Sequence, residues 1–490
     1  MLLSELLDNG SAGAGDIDIR GLTADSREVR PGYLFAALRG SHRDGADFVA
    51  DALDRGAVAV LGPEGLRTQV PRGGAQGPVR LVADPNPRRR LALMAARFYP
   101  AQPRVIAAVT GTSGKTSVAE FTRQIWERMG HRAAALGTLG VVGGGTARPL
   151  VHTTPDPVAL HRTLAEIAAT GVDHLAIEAS SHGLDQSRID GVRITAAAFT
   201  NLSHDHLDYH PTVEAYLAAK VRLFEVVLET GGGAVLNADS DAYDRLRKVC
   251  RARRHRVLSF GRKPSDLRLI DATPVGDGQR LVVAHDGRER EVAFPLFGEF
   301  QALNALCAVG LVVASGGAAD EALSALAGLA PVPGRVDLVA RHPCGAPIYV
   351  DYAHKPEALS HVLRALRPLA AGRLVVVFGC GGDRDRAKRA IMGEVAASLA
   401  DRVIVTDDNP RTEDPGAIRR AVLAACPGAT EIGDRAAAIA AAIAGLASGD
   451  VLVIAGKGHE RKQIIGEKTI DFDDAGSARA AVAALDGDGS

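Results

Sequence analysis

The sequence is poor in cysteine and spaces none of it as a metal or redox pair. Cys250, Cys307, Cys344, Cys380 and Cys426 are odd in number and form no C-x-x-C. That argues against a disulfide scaffold and a structural zinc site, and fits a reducing compartment. No apolar run reaches the roughly 18 residues that a membrane-spanning helix needs. The opening stretch, MLLSELLDNG, carries acids and no basic residue. It does not read as a secretory leader, so a soluble cytoplasmic protein is expected. Neither sign of charge dominates: Lys+Arg number 57, Asp+Glu 58, and the net charge is -1. Such a balance gives no support to a nucleic-acid binder. Aromatics make up only 4%.

What is present is an alanine- and glycine-rich chain of 490 residues, 46% of them hydrophobic. That length exceeds one ordinary core and predicts two to four domains. Short apolar runs ending in polar or glycine-rich turns alternate with amphipathic segments, which is the pattern of α/β domains with buried parallel strands. Residues 1–103 read as a small α/β domain, 104–331 as a central, mostly parallel sheet, and 332–490 as a second doubly wound, Rossmann-like sheet with PIYVDYAH, GRLVVVFGCGGD, DRVIVTDDNP and DVLVIAGKGHE as its strands.

The clearest chemical signal is VTGTSGKTS, from Val109 to Ser117. A strand, a glycine turn and a helix start present backbone N–H groups to phosphate oxygens. Lys115 would reach the outer phosphates and the Thr116 hydroxyl a Mg²⁺ ion. Gly111, Thr112, Ser113 and Gly114 form the wrap, although Val109 occupies the first glycine position of the usual P-loop pattern. Glu178, in HLAIEASSHG, and His206, in TNLSHDHLDYH, follow apparent central strands and can face the same crevice. Glu178 offers the hard oxygen that Mg²⁺ prefers, with Asp205 and Asp208 as alternatives. Lys220, in YLAAKVRLF, reads from its pattern alone as a lysine snorkelling to solvent. TDDNPRTEDP, Thr406 to Pro415, reads alone as a solvated turn.

Taken in order, DSREVRPGYLFAAL, GTSGKT, TTPDP, EASSHGLDQSR, FTNLSHDHLDYH, AYLAAKVRLF, VPGR, DYAHKPEAL, GCGGDRD, DNPR and GKGHE span essentially the whole chain. In this order they resemble the Mur ligases of peptidoglycan precursor synthesis. The resemblance implies three domains, for a uridine nucleotide, for ATP and for an incoming amino acid, in a monomer that uses ATP and Mg²⁺. It implies addition of meso-2,6-diaminopimelate to the D-glutamate γ-carboxylate of UDP-N-acetylmuramoyl-L-alanyl-D-glutamate, with the L-lysine-adding enzyme of the same step as the alternative. A folylpolyglutamate synthase would lack the first domain and the GCGGDRD and DNPR stretches. A P-loop switch or transport protein would lack SHDHLDYH and AYLAAK.

By the same resemblance Lys220 becomes a carbamylated lysine that helps Thr116, Glu178 and His206 hold metal. Asn304, Arg335, Asp351 and His354 become nucleotide contacts, with His354 also a candidate acceptor for the amine proton. Ser26, His42, Thr153, Thr154, Ser180, Gln186 and Arg188 become contacts to the sugar nucleotide and its peptide. Arg384, Asp408, Asn409, Pro410, Arg411, Gly456 and Glu460 become contacts to diaminopimelate. Two departures are mild: Ser113 stands where asparagine is usual and Lys355 where threonine is commoner.

Overall fold

Apolar runs closed by glycine or by a polar residue form three separate sheets in the computed structural model. It describes residues 1–7, 17–40, 43–68, 79–203, 205, 206 and 209–487. His42 and Asp208 lie outside the described residues.

The first sheet runs in chain order and is parallel throughout: Gly21–Thr23, Tyr33–Ala36, Ala57–Gly62 and Arg80–Ala83. The helix Pro87–Phe98 closes one face. It starts where the Asn86 side chain accepts from the Arg89 N–H, with Pro87 pre-set for the first turn. Leu91, Met94 and Ala95 pack from it onto Leu34 and Leu61.

The central sheet places Val105–Thr110 between His174–Glu178 and Ala196–Phe199. All six residues of Val105–Thr110 are buried, which explains its unbroken apolar character. Ala133–Gly137 pairs parallel outside His174–Glu178, and Gly233–Asn237 outside Ala196–Phe199. The chain begins in the middle of this parallel core and is built outward on both sides. The crevice at the carboxyl ends of the middle strands is therefore the switch point where ligands gather. The helices Lys115–Arg128 and Glu299–Ala314 cover one face and share a core through Phe121, Ile125, Leu306 and Val309. The strands Leu267–Val275, Gly278–His285 and Arg288–Phe294 extend the sheet as antiparallel hairpins, so the sheet is mostly, not wholly, parallel, as expected.

The third sheet is ordered Asp337–Arg341, Pro347–Asp351, Val451–Ala455, Leu374–Phe378, Arg402–Val405 and Thr430–Glu431. All its pairings but the first are parallel. Behind it Arg435 and Asp474, both fully buried, form a two-pronged ion pair at 2.7 Å. The Arg435 guanidinium also donates to the carbonyls of Asp407 and Ala455. It thus braces two of the strand ends that face the ligand side. Among the described residues, no helix is long and apolar enough to cross a membrane.

The chain passes from the second sheet to the third through Val332–Gly334. Gly334 has φ 68°, and a Cβ there would collide with the backbone of His459. Asp351 fastens this hinge, accepting from the Val336 N–H and the Ala353 N–H, both at 2.7 Å. Burial raises its carboxyl from 3.8 to about 6. The folded protein therefore keeps a proton that the unfolded chain has already released. The stability contributed by this group falls as pH rises through the window from about 4 to 6. Two pKa units correspond to roughly 3 kcal/mol. Asp351→Asn should abolish that slope. Between about pH 4 and about pH 7 the wild-type denaturant midpoint should fall relative to that of the variant, and a wild-type-minus-variant difference that stays constant over this range would contradict the assignment.

Candidate active site

The turn after Val105–Thr110 is shaped by two glycines. Gly111 has φ 148° and Gly114 φ 88°. A Cβ on Gly111 would collide with Thr200 Oγ1, and one on Gly114 with Asn304 Oδ1. Only glycine allows the chain to pass this close and then start the helix Lys115–Arg128. The turn is stitched to the next strand end: the Ser113 N–H donates to Asn201 Oδ1 at 2.9 Å, and Thr200 Oγ1 donates to the Ser113 carbonyl at 2.6 Å. Lys115 Nζ donates to the carbonyls of Gly111 and Thr112, both at 2.9 Å. Burial lowers its pKa to about 8.

Glu178 ends its strand 2% exposed. It accepts from Thr116 Oγ1 at 3.1 Å, from Thr138 Oγ1 at 3.1 Å and from the Thr138 N–H at 2.7 Å. Thr138 directly follows the strand Ala133–Gly137, beside the strand that Glu178 ends, and that strand-end position is the signal that could have found it. Lys220 does not snorkel. It is 1% exposed, donates to the Gly111 carbonyl at 2.7 Å and lies 4.2 Å from the Tyr216 ring centre. The pattern of its helix, Val213–Arg222, could not show that the helix's lysine-bearing face turns into the crevice. Burial, then the charge of Lys115, drive its pKa well below the usual lysine value. His206 Nε2 stands 3.2 Å from Asp205 Oδ2, and burial holds its pKa below the ordinary histidine value.

A cavity of about 490 Å³ joins these groups. Thr112 to Ser117, Glu178, His206, Lys220, Asn304, Arg335, Asp351 and His354 line it, and so do Thr153, Thr154, Ser180 and Arg188. Asn304 is buried against Gly114 and donates to Gln301 Oε1 at 3.2 Å. Phe300, Ala358 and Val362 form an apolar wall on the same cavity. Arg335 crosses from the hinge, its Nη2 donating to Thr116 Oγ1 at 3.2 Å and its guanidinium over the Tyr352 ring. Both carboxylate oxygens of Asp351 are taken by the hinge N–H groups, so its first role is to hold backbone. His354 Nδ1 lies 2.7 Å from the Tyr352 carbonyl. Burial lowers its pKa to about 3, which makes it a poor acceptor for an ammonium proton.

On the far side of the phosphate turn, Thr154 Oγ1 donates to the Glu178 carbonyl at 2.9 Å, and Thr153 and Thr138 share a hydroxyl contact at 3.1 Å. Arg188 donates to the Thr154 carbonyl and to Gln186 Oε1, both at 2.8 Å. Ser180 caps the helix Ser181–Asp185. Ser26 is buried in the first domain, in the turn Ser26–Glu28, and does not line the cavity.

Arg384, Asp408, Asn409, Pro410, Arg411, Gly456 and Glu460 line no part of that cavity either. All but Arg384 gather at the strand ends of the third sheet. Asn409 Nδ2 donates to Glu460 Oε2 at 3.0 Å, while Asn409 Oδ1 accepts from Lys457 at 3.1 Å and from the Ile464 N–H at 3.0 Å. Asp408 is buried beside Gly456, where a Cβ would stand 2.7 Å from its Oδ2. Fully buried Lys457, absent from the sequence-based set although GKGHE contains it, ties Asn409 to Glu460. Arg411, at φ 51°, donates to the carbonyls of Gly382 at 2.7 Å and Asn409 at 3.4 Å. Among the described residues no carboxylate pairs with it. Arg384 is exposed, with only the Asp383 carbonyl at 3.3 Å.

One further cluster, His131, Asp173 and His174, lies at the other end of the strand from Glu178. Its rings stack at 4.0 Å, 30° apart. Stacked rings aim their lone pairs along near-parallel planes and not at a shared centre, so the geometry does not make a metal site.

The arrangement has close counterparts. Residues 18–99 match the domain described as Mur ligase family, catalytic domain, residues 109–312 the Mur ligase middle domain, and residues 334–458 the Mur ligase, glutamate ligase domain. The UDP-N-acetylmuramoyl-L-alanyl-D-glutamate--2,6-diaminopimelate ligase of Bradyrhizobium diazoefficiens is 53% identical, covering 99% of each chain. The protein of that name from Caulobacter vibrioides is 50% identical over 96% of this chain and 97% of its own. A solved structure of a ligase of that name, 33% identical, superposes with a TM-score of 0.69 over 96% of this chain and 95% of that one. At 20% identity, a MurF ligase from Thermotoga maritima in complex with ADP shares the fold alone, with a TM-score of 0.61 over 90% of this chain and 94% of its own. Family matches across all three domains, with identity of that extent along the full chain, mean that the protein belongs to the Mur ligase family.

Proposed function

We propose that this chain joins meso-2,6-diaminopimelate to the D-glutamate γ-carboxylate of UDP-N-acetylmuramoyl-L-alanyl-D-glutamate at the expense of ATP, as a step of cell-wall precursor synthesis. One observation carries the reading. The phosphate turn and the Thr153–Thr154–Arg188 corner line one continuous cavity, so a nucleotide phosphate and a second anionic substrate can meet there.

A carboxylate is a poor acylating group because oxide is a poor leaving group. In the proposed sequence a γ-carboxylate oxygen attacks the γ-phosphorus of ATP and ADP departs, leaving an acyl phosphate. Lys115 and the N–H groups of the turn stabilise the charge in transfer. The diaminopimelate amine then attacks the acyl carbon, and phosphate leaves with the C–O electrons. No enzyme nucleophile is needed. Asn304 and the wall of Phe300, Ala358 and Val362 suit a nucleotide base, and Arg335 brings hinge and phosphate turn together. The Glu178 carboxylate and Thr116 hydroxyl, 3.1 Å apart, are hard oxygen donors of the kind Mg²⁺ takes. Such an ion, with His206 nearby, would neutralise phosphate charge. Lys220 as an ammonium cannot join that set. As a neutral buried amine it can add CO₂ and lose a proton, giving a carbamate oxygen ligand. The first domain then serves the uridine nucleotide, with Ser26 among its contacts, the second ATP, and the third the amino acid, all within a monomer.

Diaminopimelate differs from lysine by one distal carboxylate. Arg411 has two backbone carbonyls and no acid, and offers that carboxylate a paired site. Asp408, Asn409 and Glu460 are placed to receive ammonium, and exposed Arg384 to meet the second carboxylate on closure. Lysine would leave the Arg411 guanidinium unpaired, which disfavours it.

Three results test this. Phosphate release with ATP and the UDP-muramoyl-dipeptide should require meso-diaminopimelate in an amino-acid panel; release with L-lysine alone would favour the lysine-adding reading. Arg411→Ala should raise KM for diaminopimelate by about 10- to 100-fold, the loss of a charge-assisted pair, and narrow the preference over lysine. An unchanged preference would remove Arg411 from the specificity role. Lys220→Ala should lose activity and recover part of it with added short-chain carboxylic acids, whereas full activity without them would exclude a carbamate.

A further inference from the structure

Lys355 opens the helix Pro356–Leu366 in the third domain, at the position where a side chain normally caps the first turn. It makes no such bond. Its ammonium instead crosses to the second domain and pairs with Asp205, which also faces His206. Both partners are largely buried, at 22% and 13% exposure. Lys355 lines the same cavity as Lys115, Lys220 and Arg335. Among the described residues Asp205 is the one hydrogen-bond partner of its ammonium, so opening this single pair frees Lys355 within the cavity.

The inference rests on the ligase reading above. We propose that Lys355 is a phosphate-binding lysine supplied across the domain interface, opposite Lys115. Asp205 holds it in place while the cavity contains no phosphate. Once ATP and the carboxylate substrate are bound, its ammonium turns to the oxygens of the phosphoryl group in transfer. Lys115 reaches that group from the floor of the turn, and Lys355 reaches it from the closing domain. Closure of the third domain thereby completes the charge that the transfer requires. A mobile stem with three donors suits a group that exchanges one anionic partner for another. The distance from helix start to phosphate turn is already spanned, because Asp205 sits beside the turn in the cavity wall.

The experiment compares wild type with Lys355→Met and Lys355→Arg in single turnovers of ATP and UDP-N-acetylmuramoyl-L-alanyl-D-glutamate, without diaminopimelate, measuring ADP formed. ADP affinity is measured by calorimetry, and closure by small-angle scattering of the ADP complex. Lys355→Met should slow ADP formation about 100- to 1000-fold, the scale of a lost transition-state donor. ADP affinity should stay within about threefold, scattering should be unchanged, and Lys355→Arg should recover at least about tenfold. A Lys355→Met rate close to wild type overturns the proposal. So does a loss accompanied by a more open ADP complex, which would make Lys355 a domain latch. A wild type that forms no ADP from these two substrates would instead overturn the ligase reading.

Discussion

Two lysines share one carbonyl. The Nζ atoms of Lys115 and Lys220 both donate to the Gly111 oxygen, at 2.9 and 2.7 Å. Like charges held together in a low-dielectric crevice repel, and burial disfavours each of them. The arrangement persists because the glycine turn fixes the carbonyl, and it is relieved when an anion enters or when one lysine loses its charge. Much of the site follows from that constraint. Glu178 and Asp205 bring negative charge from neighbouring strand ends, Arg335 and Lys355 add positive charge from the hinge and the third domain, and the polyphosphate of the proposed reaction would balance them.

The fold serves this by placing strand ends. Because the second sheet grows outward from Val105–Thr110, the residues that follow its middle strands arrive at one crevice from distant parts of the chain. The third sheet repeats the device, bringing Asp408, Gly456 and Glu460 to one corner. There the buried Arg435–Asp474 pair secures the carbonyls of Asp407 and Ala455 from behind. The glycine turn proposed to hold phosphate is thus fixed by backbone, and the corner proposed for the amino acid by side chains. Between them the Gly334 hinge and the Asp351 clamp set how the two halves face each other.

Much of this was legible in the sequence where local chemistry is sufficient. A strand, two glycines, a lysine and a threonine announce the phosphate turn, and apolar runs ending in acids or glycine announce strand ends. Lys220 was legible only by resemblance, since its helix pattern argued for solvent and the fold turns it inward. Thr138, Asn201, Lys457 and the Lys355–Asp205 pair depend on neighbours up to about 150 residues away, which no local pattern reports. His354 illustrates the opposite case. A histidine beside a strand end invites a role in proton transfer, yet burial and the nearby Lys355 and Lys388 charges depress its pKa too far for that work. The antiparallel strands of residues 267–294 also went unread, since a bulge between Leu269 and Asp271 breaks the alternation of the first of them.

In the proposed reaction one cavity transfers phosphate from ATP to a carboxylate before any amide forms. The most direct measurement uses UDP-N-acetylmuramoyl-L-alanyl-D-glutamate labelled with ¹⁸O in the γ-carboxylate, with ATP and meso-diaminopimelate. An acyl phosphate requires one labelled oxygen to appear in the inorganic phosphate and none in ADP. Phosphate without label would contradict the account.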